Sequence, residues 1–157
     1  MLTLLFLAAC GGPGALVRGQ SGLADVQHTM GEPAMKWQDA DGRTHLVYPR
    51  GPEGFRTWMV SLDPAGRVER VENLLDEAHF ATIRPGMTEE QVTRALGPPQ
   101  PAWTAYYPAR DELAWEWRYC DWHAATRFDV LFDAPGRTVR STLRVREDCF
   151  DGPCFCN

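Results

Sequence analysis

The segment Ile83-Arg-Pro-Gly-Met-Thr-Glu-Glu-Gln-Val-Thr-Arg-Ala-Leu-Gly-Pro-Pro99 writes out a short helix with both ends marked. Pro85 pushes Arg84 out of the helical region, so nothing helical runs in from upstream. Thr88 is placed as an N-cap, and Gln91, three residues on, can reach back to the cap's N–H. Met87 and Val92 flank the cap at the spacing of a hydrophobic staple. Val92, Ala95 and Leu96 form one apolar face. Gly97 suits a left-handed C′ position, and Pro98-Pro99 forbids continuation. Each residue here has a capping, stapling or stopping job.

Working outward, an earlier stretch repeats this one with lower fidelity. Gly31, Pro33, Met30 and Val26 answer Gly97, Pro99, Leu96 and Val92, each pair 66 positions apart (97 − 31, for example). Trp37 answers Trp103 at the same offset. Trp58-Met-Val-Ser-Leu-Asp-Pro-Ala-Gly-Arg67 then answers Phe128-Asp-Val-Leu-Phe-Asp-Ala-Pro-Gly-Arg137. Both carry apolar residues into an Asp-x-x-Gly turn, which is hairpin grammar. Strands are expected at 44–48, 56–62 and 67–71, and again at 112–119, 127–132 and 138–145. Along 112–119 the alternation is strict, with Leu113, Trp115, Trp117 and Tyr119 on one face. Between the two sets, 73–82 reads as a helix capped by Asn73.

The predicted fold class is α+β: two tandem units of helix plus three-stranded antiparallel meander, the second with two short helices. Residues 1–20 are signal and linker, 21–72 a first, degenerate unit, 73–148 the second unit and 149–157 a cysteine-rich tail. The chain has a net charge of −5, and its Lys and Arg are scattered among acids. That argues against nucleic acid as a partner.

Leu2 to Ala9 is apolar and ends in Leu7-Ala8-Ala9-Cys10, followed by Gly11-Gly-Pro-Gly14. The run is too short to span a bilayer and is expected to be a processing segment. It resembles a bacterial lipoprotein signal, cut before Cys10, whose thiol and new amine would carry acyl chains. No Lys or Arg precedes the apolar run, so part of the signal is expected to lie upstream. Multiple acyl chains anchor a protein stably. Gly11 in place of Asp resembles lipoproteins forwarded to the outer membrane, so the expected site is that membrane's periplasmic face.

Export favours disulfides among Cys120, Cys149, Cys154 and Cys156, which allow three full pairings. Cys154 and Cys156 are too close to bridge each other without strain. That leaves Cys149 with Cys154 or Cys156 and Cys120 with the other; a lone Cys120–Cys149 bridge is a further alternative. Zinc on Cys120-x-x-His123 with the tail cysteines is the competing chemistry, but the spacing fits no common zinc module. No cofactor or metal is expected.

With these residues in view, Ile83-x-Pro85-Gly86-Met87-Thr88-x-x-Gln91-Val92-x-x-x-Leu96-Gly97-x-Pro99 resembles the signature of the BamE (SmpA/OmlA) lipoproteins. The resemblance covers about 74–146. It implies two short helices on a three-stranded antiparallel sheet behind a lipidated cysteine, with a part in outer-membrane assembly. A tandem of such units also resembles the secreted β-lactamase-inhibitor proteins, which implies a sheet surface offered to an enzyme.

No nucleophile elbow, phosphate loop, dinucleotide fingerprint or HExxH helix occurs in the sequence. Glu89 and Glu90 are read as first-turn charges, and Asp63 and Asp133 as turn residues. The chain is therefore expected to be non-enzymatic, binding or scaffolding envelope proteins, with an inhibitor-type module as the alternative. Tyr106, Tyr107 and Trp122 fall in predicted loops and are the candidate partner-binding residues.

Overall fold

The structure is a computed structural model, and it describes residues 12–51, 54–149 and 152–156. The lipidation site expected at Cys10 lies outside them. Two compact units emerge: 12–48 with Met59–Glu72, and Pro49–Trp58 with 73–156.

The expected tandem of helix-plus-three-stranded-meander units is corrected. The protein is mostly β, with two four-stranded antiparallel sheets and a few short helices. The first sheet runs β1 (Met35–Gln38), β2 (Thr44–Pro49), β3 (Thr57–Leu62), β4 (Val68–Asn73) in that order. The second runs β5 (Ala105–Tyr107), β6 (Glu112–Asp121), β7 (Ala124–Asp133), β8 (Thr138–Arg146). Each sheet thus gains a short first strand that carries almost no pattern of its own. Met35-Lys-Trp-Gln38 takes its register from β2, with Trp37 opposite His45, and Ala105–Tyr107 takes its register from β6.

In the first unit α1 (Leu23–Met30) precedes β1, and Val26 is fully buried. Leu46, Val47, Val60 and Val68 supply the other apolar side chains with no exposed surface or nearly none. Residues 19–22 run beside β4, with Gly19 N–H donating to Val68 O and Val68 N–H to Ser21 O, each at 2.8 Å, so the end of the expected linker is bound to the sheet.

In the second unit the helix expected at 73–82 shrinks to α2 (Glu77–Phe80), capped by Asp76 rather than Asn73. The Asn73 side chain is engaged elsewhere. Its Oδ1 accepts from Thr57 N–H at 3.1 Å, while Leu74 N–H donates to Thr57 O at 2.8 Å, which prolongs a strand-like pairing. The next helix, α3 (Glu89–Leu96), matches its sequence closely. Gln91 N–H donates to Thr88 Oγ1 at 3.3 Å, and Thr88 N–H donates to Gln91 Oε1 at 2.8 Å.

Its C-terminal residue differs from the expected left-handed turn: Gly97 has φ 79° and ψ −179°, a region open to glycine almost alone. Gly31 closes α1 with nearly the same backbone, φ 82° and ψ −160°. Val92 and Leu96 drop into a core with Phe80, Ile83, Trp117 and Phe128, and Leu113 and Trp115 pack against it. The face of β6 expected to be core is therefore core.

The opposite face of the second sheet is not simply solvated. Glu112 is 4% exposed, and its charge is met by Arg110 at 2.9 Å and Arg140 at 3.0 Å. After β8 the chain leaves the sheet through β9 (Asp148–Cys149) and β10 (Gly152–Pro153), then rejoins it where Phe155 bridges Ala124.

Replacing Gly97 by Ala forces a β-carbon into a conformation it rarely adopts. The expected outcome is a loss of about 1–3 kcal/mol, read from the midpoint of chemical denaturation.

Candidate functional site at the end of the second sheet

The β6–β7 hairpin turns on two residues, Trp122 and His123, between the paired Asp121 and Ala124. Both central residues have positive φ, 45° and 71°. A two-residue turn with that sign at both positions is type I′, which normally takes Asn-Gly. Holding two bulky L-residues there costs roughly 1–2 kcal/mol each. The indole gains nothing from burial in exchange, because Trp122 is 93% exposed. Strain kept at an unburied aromatic is a marker of function rather than of packing.

Phe155 accompanies it. Cys156 N–H donates to His123 O at 3.0 Å and Ala125 N–H donates to Cys154 O at 2.8 Å, which lays 154–156 along the start of β7. Cys154 and Cys156 are buried, so alternation turns Phe155 outward, where it is 75% exposed. Two large aromatics thus stand at one end of one sheet.

Two disulfides fix this end: Cys120–Cys156 and Cys149–Cys154. They select one of the pairings that spacing left open, and they commit the Cys120 sulfur that zinc would have needed. The separations of 36 and 5 residues correspond, in the chain-entropy view, to roughly 4 and roughly 2 kcal/mol. Arg118 adds a two-pronged ion pair to Glu147, with contacts of 2.6–2.9 Å, tying β6 to the start of the tail.

Beside the turn lies a groove of about 440 Å³, lined in part by Phe55, Tyr119, Asp121, Trp122 and His123. Asp76 and Glu77 also border it; His79 engages Asp76 at 2.8 Å and Arg144 engages Glu77 at 2.7 Å. Among the described residues no group of three or more His, Cys, Asp or Glu side chains is disposed to hold a metal ion.

The chain matches no family model, no curated protein and no solved structure. Nothing in these comparisons identifies the BamE family, and the resemblance rests on the 83–99 segment. Those residues have structural roles in the fold. Gly86 N–H and Met87 O bond Val139 at 2.8 Å each, Thr88 and Gln91 cap α3, and Val92 and Leu96 are buried. Pro85 directly precedes Gly86, and Gly97 and Pro99 lead the chain from α3 toward β6.

The expected trio of partner-binding residues is divided. Tyr106 and Tyr107 lie on β5, not in a loop, opposite Leu113 and Glu112 at the start of β6. Trp122 follows the far end of that ten-residue strand, about 30 Å away. Tyr106 donates its hydroxyl proton to Asp111 Oδ1 at 2.7 Å, and the Arg110 guanidinium sits 4.7 Å from the Tyr107 ring centre. Both tyrosines are partly occupied by neighbours, whereas Trp122 is open. Phe155 was missed from sequence, although a phenylalanine between two buried half-cystines has one direction left to point.

One titrating group of this sheet is displaced. Asp129 is 8% exposed, and its Oδ1 meets no hydrogen-bond donor among the described residues. Burial pushes its carboxyl up to about 6; the facing Glu116 adds to the rise and Arg127 opposes it.

Two outcomes follow from these geometries. Replacing Trp122-His123 by Asn-Gly relieves the turn and raises stability by roughly 1–2 kcal/mol, seen as a higher thermal midpoint. The raised Asp129 pKa gives stability that is full below about pH 4 and lost as pH climbs through about 6, because only the folded state holds the proton between them. Denaturation midpoints measured from pH 4 to 7 should therefore fall, and Asp129→Asn should flatten the fall by up to about 3 kcal/mol.

Proposed function

We propose that the chain is a non-enzymatic binding protein of the cell envelope that grips a protein partner through Trp122 and Phe155. The observation that carries this reading is the strained, fully displayed Trp122 turn beside Phe155, stapled by Cys120–Cys156. Aromatic side chains on rigid supports are the usual anchors of protein interfaces, since they bury large areas at low entropic cost. Lipid attachment at Cys10, suggested by Leu7-Ala8-Ala9-Cys10, would hold the chain at the periplasmic face of the outer membrane. A scaffolding part in outer-membrane protein assembly or envelope integrity fits that placement.

A second reading, an inhibitor-type module acting on an extracytoplasmic enzyme, is favoured by one feature. The tip is only two residues wide and is braced by a disulfide at Cys120, which suits insertion into a cleft.

A photo-crosslinking side chain at position 122, with position 141 on β8 as the exposed control, tests both. The expected result in the native envelope is a discrete adduct from position 122 and none from 141. Equal or absent adducts would remove the aromatic end as the binding surface. If the captured protein is an enzyme whose turnover falls when purified chain is added, the inhibitor reading holds.

A further inference from the structure

A second concavity of about 290 Å³ lies within the second unit and shares Arg56 and Leu75 with the groove beside Trp122. Its walls are mainly apolar: Leu75, Pro98, Pro99, Trp103 and Trp117. Five polar residues also line it: Arg56, Thr57, Gln100, Glu116 and Arg118. An apolar chamber with a few placed polar groups is the usual form of a small-molecule site.

The walls are rigid for identifiable reasons. Trp117 is 3% exposed, and its indole N–H donates to Gly97 O at 3.2 Å, so the ring cannot swing. Pro98, Pro99 and Pro101 each fix a backbone torsion. Gln100 N–H donates to Glu116 O at 3.3 Å, which holds that proline track along β6. A cavity walled by a locked indole and prolines does not readily collapse when empty.

The charges decide what it would take. Glu116 is met by Arg127 at 3.0 Å. Arg118 is met by Glu147 at 2.6 Å and lies 4.4 Å from the centre of the Phe55 ring. Arg56 differs: among the described residues it pairs with no carboxylate, and its guanidinium has only the Trp58 ring, at 5.6 Å. Among the described residues, therefore, one cation stands at an apolar cleft with its hydrogen-bond donors uncommitted.

The geometry points to a binding site for a small aromatic acid, its ring between the tryptophans and prolines and its carboxylate on Arg56. A neutral aromatic would fill the same volume but leave the guanidinium unanswered. A volume near 290 Å³ accommodates one ring with a short acidic arm and excludes a long lipid chain.

The test uses the whole chain labelled with ¹⁵N, following the indole N–H signals of Trp103 and Trp117. 3-Phenylpropionate is titrated against its neutral counterpart, 3-phenylpropanamide. The expected result is a saturable shift at both indoles with the acid, and affinity about fivefold weaker with the amide, the worth of one charge-assisted hydrogen bond at a partly exposed site. Arg56→Gln should bring the acid down to the amide's affinity while leaving the rest of the spectrum in place; Arg56 is exposed, so the fold does not depend on it. No saturable shift up to about 10 mM, a range that admits even weak sites, would overturn the assignment. So would equal affinity for acid and amide, or an Arg56→Gln variant that binds the acid as before.

Discussion

The second unit depends on a bond between an indole and a glycine carbonyl. Trp117 is buried in the middle of β6, and its N–H would cost about 1–3 kcal/mol if left without a partner. Gly97 O answers it at 3.2 Å. The carbonyl points there because Gly97 ends α3 at φ 79°, a turn that no side chain would permit comfortably. From that fixed point the prolines after Gly97 have one course, along β6, where Gln100 bonds to Glu116. The helix end, the position of the sheet's central tryptophan and the proline wall of the cleft therefore share one cause.

Legibility in the sequence followed how local each determinant is. The helix from Glu89 to Leu96 could be read because its caps, staple and stop all lie within a few residues of it. The inward face of β6 could be read because strict alternation over eight residues leaves little choice. Met35–Gln38 and Ala105–Tyr107 could not, since four and three residues carry too little periodicity, and their pairing comes from β2 and β6. Missing those two edge strands turned four-stranded sheets into expected three-stranded meanders. Asn73 misled for a related reason: an asparagine before an acidic stretch resembles a cap, but here its amide closes the ends of two strands.

The candidate site was half legible. Trp122 stood out as an aromatic in an expected loop, while the I′ backbone that makes its exposure informative emerges only in the folded chain. Tyr106 and Tyr107 belong to the opposite end of β6, so proximity in sequence overstated their kinship with Trp122. Phe155 has its role only because the tail returns to β7, a contact separated from the hairpin by some thirty residues. The placement of Arg56 at the cleft is likewise a matter of topology, since Pro49–Trp58 joins the unit formed by the C-terminal half of the chain.

The link between Cys120 and Cys156 has a consequence in time. Phe155 bridges Ala124 from outside any strand, and besides that link it is held by backbone bonds at Ala125, His123 and Glu147 and by the neighbouring Cys149–Cys154 disulfide. Where thiols are kept reduced, both disulfides are open and only those backbone hydrogen bonds place Phe155 beside the hairpin. Where they oxidise, the same pair becomes a stapled surface. The redox state of the surroundings thus sets how firmly Phe155 is held beside the Trp122 hairpin.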